Sequence, residues 1–189
     1  MIRTLPRISA LALALGFAVA PLPASAAGGD DPALRAKLLA AYARVASYRL
    51  TVLGAARSLG VWVKPNRYQM TTELGGKPIK TVIIGADYWT LAQGKWEHSG
   101  RVSSNLDVDI AGLLRDARAH ATRVFTRLPD QRQDGVRVGT FGYSFPNGTD
   151  ETCNFDRVTY RVTRCKADEV TLLYAGYNDP ANRVFDPRK

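Results

Sequence analysis

Residues 59–96 read LGVWVKPNRYQMTTELGGKPIKTVIIGADYWTLAQGKW, and this stretch decides the fold. Short runs of β-forming residues alternate in it with four turn signals: Pro65-Asn66, Gly75-Gly76, Gly85-Ala86 and Gln93-Gly94. Glycine supplies the positive φ angles of tight turns, and proline fixes φ where a turn begins. Between Arg67 and Thr72 polar and apolar residues alternate, which indicates a strand with one apolar face. The stretch therefore predicts an antiparallel meander whose apolar face needs a cover.

The N-terminal residues predict export. Arg3 and Arg7 precede an apolar run, and Ala24-Ser25-Ala26 is typical of a signal peptidase site. We expect residues 1–26 to be a secretory signal peptide that is removed. We expect residues 27–189 to be one exported domain, released as a soluble protein because no cysteine follows the cleavage site for lipid attachment.

Two helices are predicted to cover the meander. Asp31 can cap a helix over residues 32–46 that starts at Pro32, and a strand over residues 48–52 follows it. A second helix is predicted to begin at Asn105 or Asp107, with apolar residues on one face and arginines on the other. Its apolar face could complete a dry core or could line a cavity, and the sequence leaves both open.

Strands are predicted again after the second helix. They cover residues 124–128, 136–145, 158–162 and 170–177, and an extended tail runs from Asp179 to Pro187. The chain has only two cysteines, Cys153 and Cys165, which we expect to form a disulfide in an oxidising compartment. We expect no bound metal, because the two histidines, His98 and His120, lie far from the cysteines in sequence.

The charge of the chain is strongly positive, with a formal net charge of +9. Basic surfaces attract anionic partners, which for an exported protein are lipid headgroups rather than nucleic acid. Lysines and arginines are spread along the chain, so the charge could equally serve solubility alone. We predict no nucleic-acid partner.

Enzymatic activity is not expected. The sequence has no nucleophile elbow, no metal-binding histidine pair and no phosphate-binding loop. His98 follows Trp96-Glu97 and could in principle act as an acid or base, but a single histidine in a loop is more often polar surface. We therefore predict no catalytic residue and no cofactor.

Three segments resemble the LolA-type periplasmic lipoprotein carriers and their LppX/LprG-type relatives. The segments are Trp62-Val63-Lys64-Pro65-Asn66, Gly85-Ala86-Asp87-Tyr88-Trp89, and the tail from Tyr177-Asn178-Asp179-Pro180 to Phe185-Asp186-Pro187. The resemblance implies an α+β fold: a curved antiparallel sheet that forms an incomplete half β-barrel, with the N-terminal and middle helices covering its concave face. It also implies non-covalent binding and carriage of a lipid or lipidated molecule across the periplasm.

The candidate ligand-binding residues follow from this fold. We expect Tyr68, Met70 and Trp89 to face the concave side together, where aromatic residues could contact either a ligand or one another. The other candidates for lining the cavity are Trp62 and, on the middle helix, Leu113 and Leu114. Lys64 and Arg67, near the first turn, are the candidates for headgroup contact.

The partner and the role are less narrowly defined. The residue before Pro65 is Lys64, where the lipoprotein carriers have arginine, so a glycolipid, phospholipid or lipid-linked intermediate fits as well as an acylated protein. We expect a monomer that meets an inner-membrane or outer-membrane partner. The alternative is an envelope sensor resembling the RseB-type regulators, which detects lipids or lipoproteins and signals to a partner protein.

Overall fold

A computed structural model describes residues 31–101, 125–144 and 150–189. These residues form one α-helix and eleven strands. The elements are α1 (Pro32–Ala43), β1 (Ser47–Leu53), β2 (Arg57–Val63), β3 (Arg67–Leu74), β4 (Lys77–Ile84), β5 (Asp87–Ala92), β6 (Lys95–Arg101), β7 (Thr126–Gln133), β8 (Val136–Ser144), β9 (Asp150–Phe155), β10 (Val162–Ala167) and β11 (Val170–Ala175). Among them, no helix is long and apolar enough to cross a membrane.

All eleven strands belong to one antiparallel sheet, in the order β6-β5-β4-β3-β2-β1-β11-β10-β9-β8-β7. The first strand, β1, pairs with the last strand, β11, for example at Arg49 and Ala175. The two halves of the sheet are therefore joined only when β11 forms. Within the described ranges β6 and β7 are the two edges, and the sheet is curved but not closed. This architecture confirms the expected open sheet of half-barrel type.

The central meander forms as the turn signals predicted. Gly75, Gly76, Gly85 and Gly94 all have positive φ angles at its hairpins. Positive φ is favourable for glycine and costly for most other residues, so these positions fix where each strand stops. The strands β3, β4 and β5 consequently begin and end within a few residues of the predicted limits.

Helix α1 is held at its N-terminus by the residue that precedes it and at its C-terminus by a residue distant in sequence. Asp31 caps its N-terminus by accepting a hydrogen bond of 2.9 Å from the Leu34 N–H. The helix ends at Ala43, three residues before the predicted end, and the Lys64 amine donates to the Ala43 carbonyl at 2.9 Å. A cation at a helix C-terminus satisfies a free carbonyl and interacts favourably with the helix dipole.

A closed ring of hydrogen bonds joins α1 to the sheet and the C-terminal tail. The Val162 N–H donates to the Tyr42 hydroxyl at 3.1 Å, and the Tyr177 hydroxyl donates to the Val162 carbonyl at 2.5 Å. The Tyr42 hydroxyl is therefore the donor in its 2.6 Å bond to Tyr177. Burial raises the pKa of both tyrosine hydroxyls, so the ring stays protonated and uncharged.

The core lies between α1 and one side of the sheet, which we call the helix-facing face; the opposite side is the outer face. Its buried members come from the helix and from both halves of the sheet: Leu34, Leu38, Tyr42, Val45, Tyr48, Leu50, Trp62, Tyr68, Phe125, Phe141, Tyr143, Cys153, Phe155, Val162, Cys165 and Tyr174. Cys153 and Cys165 pair directly across β9 and β10 and form the predicted disulfide.

The C-terminal tail crosses the outer face. Residues 176–189 form no helix or strand. The Phe185 N–H donates to the Gln69 side chain at 3.0 Å, and the Phe185 ring stacks on Trp96 with 5.6 Å between centroids. The Arg67 guanidinium donates to the Val184 carbonyl at 3.2 Å. Each face of the described sheet is thus covered in part, one by α1 and the other by the tail.

One sequence-based assignment of secondary structure was wrong. Val158 and Tyr160 were assigned to a strand, but residues 157–159 form a turn, and the strand begins only at Val162. Residues 99–101 belong to β6. Residues 57–60 belong to β2, which forms a hairpin with β1. The predicted middle helix lies outside the described residues.

Candidate functional site

The candidate site is built from three rows of paired residues on the helix-facing face of β2, β3 and β4. The rows are Trp62–Tyr68–Ile83, Gly60–Met70–Thr81 and Ser58–Thr72–Ile79. We call these nine residues the candidate surface. Paired residues of adjacent strands share a face, so the register alone places all nine on the side that carries the core. Burial falls along β3 and β4, from 6% exposure at Tyr68 to 39% at Ile79.

The Tyr68 side chain lies across β2, and Gly60 makes room for it. A Cβ atom on Gly60 would lie 2.8 Å from the Tyr68 hydroxyl oxygen and 3.1 Å from its ring. The Tyr68 hydroxyl donates to the Met70 sulfur at 3.2 Å, and burial raises the pKa of Tyr68 to about 12. Tyrosine and methionine thus form a neutral, polarisable floor with no charged group in its centre.

Beyond Met70 the candidate surface becomes partly polar, and it is more exposed on β3 and β4 while Ser58 on β2 stays buried at 7% exposure. Ser58 and Thr72 satisfy each other through a hydrogen bond of 2.9 Å between their hydroxyls. Met70 and Ile83 are only partly buried and pack against the edge of the core. A surface of this kind can offer apolar contact to a ligand without leaving unpaired polar groups beneath it.

Trp62 belongs to the solid part of the core. Its ring stacks on Tyr48 with 5.1 Å between centroids and an interplanar angle of 20°, and only 5% of the residue is exposed. Tyr48 in turn contacts Tyr174 and Tyr177 through their rings. Trp62 therefore forms the buried end of the candidate surface, next to the aromatic cluster below α1.

Trp89 does not share a face with Tyr68, and this expectation was wrong. Trp89 pairs with Val82, and Val82 pairs with Gln69, which lies on the outer face of β3. Trp89 is 7% exposed and Val82 is fully buried, because the tail covers them: the Arg188 guanidinium lies 5.7 Å from the Trp89 ring centroid. We therefore leave Trp89 out of the candidate surface.

The two cations predicted to contact a headgroup hold parts of the fold together. The Lys64 amine binds the end of α1 at the Ala43 carbonyl, and the Arg67 guanidinium binds the tail at the Val184 carbonyl. Arg67 lies on the outer face, opposite Tyr68. Contact with a headgroup stays a prediction for both side chains. Leu113 and Leu114 lie outside the described residues.

His98 lies on the outer face beside the tail-covered tryptophan. Its ring contacts the Trp89 ring edge-on at 5.3 Å, and its Nε2 lies 3.5 Å from an Asp87 carboxylate oxygen. About half of the side chain is exposed, at 52%. These contacts give His98 a structural role in the middle of β6, on the face opposite the candidate surface.

One group of possible metal ligands lies in the described residues, formed by Glu151, Cys153 and Cys165. Both cysteines are joined in the disulfide, so neither can supply the thiolate that a metal would need. Glu151 is 4% exposed and accepts a hydrogen bond of 2.5 Å from the Tyr143 hydroxyl. Burial raises the pKa of Glu151, which the Tyr143 hydrogen bond partly offsets. Its alternation with Cys153 was the one sign in the sequence that this carboxyl is buried.

A groove of about 600 Å³ lies on the other side of the sheet. Its floor and walls come mainly from outer-face residues of β1, β2 and β3: Arg49, Thr51, Leu59, Val61, Gln69 and Thr71. Leu59 is 48% exposed there, while Arg49 and Gln69 hold the tail through Asp179 and Phe185. The groove is the second surface that could take an apolar ligand.

Solved structures match this fold. The lipoprotein LppX from Mycobacterium tuberculosis aligns with a TM-score of 0.61 at 14% identity, over 81% of this chain and 99% of that chain. LprF from Mycobacterium bovis aligns with a TM-score of 0.56 at 10% identity, over 85% and 99%. A LolA superfamily protein from Nitrosomonas europaea aligns at 11% identity over 85% and 95%, with a TM-score of 0.39 that is too low for any conclusion.

No protein-family model matches the sequence, and neither does any curated protein. At identities this low, the structural matches show the fold and nothing finer. They bear out the resemblance that the short motifs around Pro65 and Asp87 suggested. The chain therefore has the fold of LppX and LprF.

Proposed function

We propose that this protein binds a lipid, or the acyl chains of a lipidated molecule, without covalent chemistry and carries it across the periplasm. In this proposal residues 1–26 are a signal peptide and residues 27–189 are one lipid-binding domain. The Cys153–Cys165 disulfide supports an oxidising compartment such as the periplasm. The fold shared with a lipoprotein of known structure supports the general type of function.

The observation that carries the proposal is the exposure gradient on the candidate surface. Tyr68 is buried, Met70 and Ile83 are partly buried, and Ile79 is 39% exposed on the same face. Hiding an acyl chain from water is worth about 0.8 kcal/mol per methylene, so even a short apolar strip can hold a chain. The strip continues the core outward, as a site for a removable apolar ligand requires.

The test compares two exposed apolar residues on opposite faces of the sheet. Ile79→Glu puts a carboxylate on the candidate surface, and Leu59→Glu puts one in the outer groove. The two residues are similarly exposed, at 39% and 48%, so both variants should fold. Binding of pyrene-labelled phosphatidylglycerol is followed by fluorescence, with circular dichroism as the check on folding.

We expect Ile79→Glu to weaken binding by about tenfold or more, because a carboxylate beside an acyl chain must be desolvated without a partner. Leu59→Glu should bind like the unmodified protein. Met70→Glu, deeper on the same face, should show a larger loss than Ile79→Glu. The reverse pattern, with loss only in Leu59→Glu, would assign binding to the outer groove and refute the proposal for the candidate surface.

Native mass spectrometry of the protein purified from its own envelope would identify the ligand. A co-purified lipid that is retained by Leu59→Glu and lost from Met70→Glu would support both the function and the site. Protein that carries no lipid and takes up none of the labelled phospholipid would contradict the function itself.

A further inference from the structure

The turn between β9 and β10 presents an apolar side chain to solvent on a rigid support. Val158 is 86% exposed, the most exposed large apolar residue of the described chain. An Asp156 carboxylate oxygen accepts bonds from the Val158 N–H at 3.0 Å and the Thr159 N–H at 2.6 Å. The Tyr160 N–H and the Arg161 carbonyl bond to the Asp156 backbone at 2.8 and 2.9 Å. The turn is thus fixed by its own hydrogen bonds and does not need Val158 for its stability.

Cations surround this valine. A depression of about 420 Å³ lies between the turn and α1. Besides Val158, its lining includes the three cations Lys37, Arg44 and Arg161 and no acidic group. Lys37 lies over the Tyr160 ring at 5.4 Å, and Arg161 lies over the Tyr177 ring at 5.3 Å. Stacking on the rings leaves both charges in place. The Asp156 carboxylate interacts with Arg161 and offsets one of the three cations, so the depression keeps a positive excess.

The neighbouring charges add to this excess. Asp130 lies next to the turn and interacts with Arg127, Arg137 and Arg157. One carboxylate cannot balance three guanidinium groups, and the Arg137 side chain stays 69% exposed. The positive region therefore extends from α1 past the turn to the hairpin of β7 and β8.

We propose that this face docks on an anionic phospholipid membrane, with Val158 inserted between headgroups and with Lys37, Arg44 and Arg161 on lipid phosphates. An exposed apolar residue ringed by cations fits the boundary between headgroups and acyl chains, where both kinds of contact are available at once. A soluble acidic protein would pair with the cations but would not account for the exposed Val158 side chain. The docking serves the proposed lipid carriage, but it is measured independently of lipid uptake.

The register supplies a matched control at the other end of the sheet. The antiparallel pairings put Val162 and the turn before it at the same end of the strands as Val63. Lys77 and Lys95 are exposed and begin β4 and β6 at the opposite end. An eight-residue strand is about 26 Å long, which exceeds the Debye length at physiological salt.

The experiment is sedimentation of the protein with vesicles of phosphatidylglycerol and phosphatidylcholine, compared with vesicles of phosphatidylcholine alone. The double variant Lys37→Gln/Arg44→Gln should weaken binding by about 25-fold, at about fivefold for each cation near an anionic surface. The control Lys77→Gln/Lys95→Gln removes the same charge and should change binding by less than about twofold.

The valine is tested in the same assay. Val158→Ser should weaken binding by about tenfold, the lower end of what full burial of a valine side chain contributes. Leu74→Ser, at the opposite end and 60% exposed, should have no effect. Ile79→Glu should dock normally while failing to take up lipid, so that failure of docking and failure of the carrier function are distinguished.

Two results would overturn the proposal. The first is equal binding to anionic and neutral vesicles, or no binding to either, which would leave the cations to a protein partner. The second is an equal loss of vesicle binding in Lys37→Gln/Arg44→Gln and in Lys77→Gln/Lys95→Gln, which would show that net charge alone drives the association.

Discussion

Replacing Tyr42 with phenylalanine should loosen the attachment of α1 to the sheet. The Tyr42 hydroxyl accepts from the Val162 N–H and donates to the Tyr177 hydroxyl, so it completes the ring that joins the helix, β10 and the tail. Tyr42 is 3% exposed and Val162 is fully buried. Water therefore cannot easily replace the lost hydroxyl.

The cost follows from the groups that the substitution leaves behind. The Val162 N–H becomes a buried donor without its acceptor, which costs about 1–3 kcal/mol. The Tyr177 hydroxyl keeps its bond to the Val162 carbonyl and loses only a donor. We therefore expect Tyr42→Phe to lower the free energy of unfolding by about 2 kcal/mol and the Tm by about 5 °C.

Urea unfolding and thermal melting measure this effect, with Tyr160→Phe as the matched control. The Tyr160 hydroxyl accepts only a 3.5 Å bond from the exposed Lys37 amine, so its loss should change stability by less than about 0.5 kcal/mol. Tyr177→Phe should cost a similar amount to Tyr42→Phe, and the double variant should cost less than their sum because both break one ring. Equal stability of Tyr42→Phe and Tyr160→Phe would refute the role of the ring.

Two further predictions concern the candidate surface and the buried carboxyl. Gly60→Ala should cost about 1–3 kcal/mol in urea unfolding, because its methyl group would lie 2.8 Å from the Tyr68 hydroxyl oxygen; Gly54→Ala, whose methyl group would meet nothing closer than 3.5 Å, is the control. Burial raises the pKa of Glu151 above that of the unfolded chain, so the stability of the protein should fall as pH rises from about 4.3 to the raised pKa and then level off. Glu151→Gln should lose this dependence in unfolding measured from acid to neutral pH, and an unchanged slope would contradict the assignment.

The meander could be predicted from sequence because its turns are local. Three of its four hairpins depend on a glycine with positive φ, and few other residues tolerate that backbone conformation; the first hairpin turns at Pro65-Asn66. The N-terminal helix was predictable for a similar reason, since Asp31 and Pro32 are adjacent start signals. Its end was misplaced by three residues because the group that binds Ala43 is Lys64, which is distant in sequence.

At residues 157–159 local hydrogen bonds form a turn where the alternation of apolar and polar residues predicts a strand. Val158, Tyr160 and Val162 alternate with polar residues as a strand would. The Asp156 carboxylate nevertheless captures the Val158 and Thr159 amides, which a strand would offer to its neighbour. Aspartate forms such local bonds readily, so its position before the pattern was the available warning.

The misplacement of Trp89 has a different cause, and the register would have prevented it. Gly85 and Ala86 form a two-residue turn, which pairs Ile84 with Asp87 and therefore Val82 with Trp89. Val82 pairs with Gln69 on its other side, so Trp89 lies on the face of Gln69 and not on that of Tyr68. Aromatic character alone suggested that the two residues belong together, but it carries no information about the face.

The apolar run Val82-Ile83-Ile84 also predicts burial of the outer face of β4. A strand with one wet face alternates, whereas consecutive apolar residues indicate burial on both sides. The outer face of β4 therefore required a cover of its own. The residues that cover it could not be predicted from the sequence, because the contacts of Phe185 with Gln69 and Trp96 depend on the path of the whole chain. Local patterns can show that a face is buried, and only the tertiary structure shows what buries it.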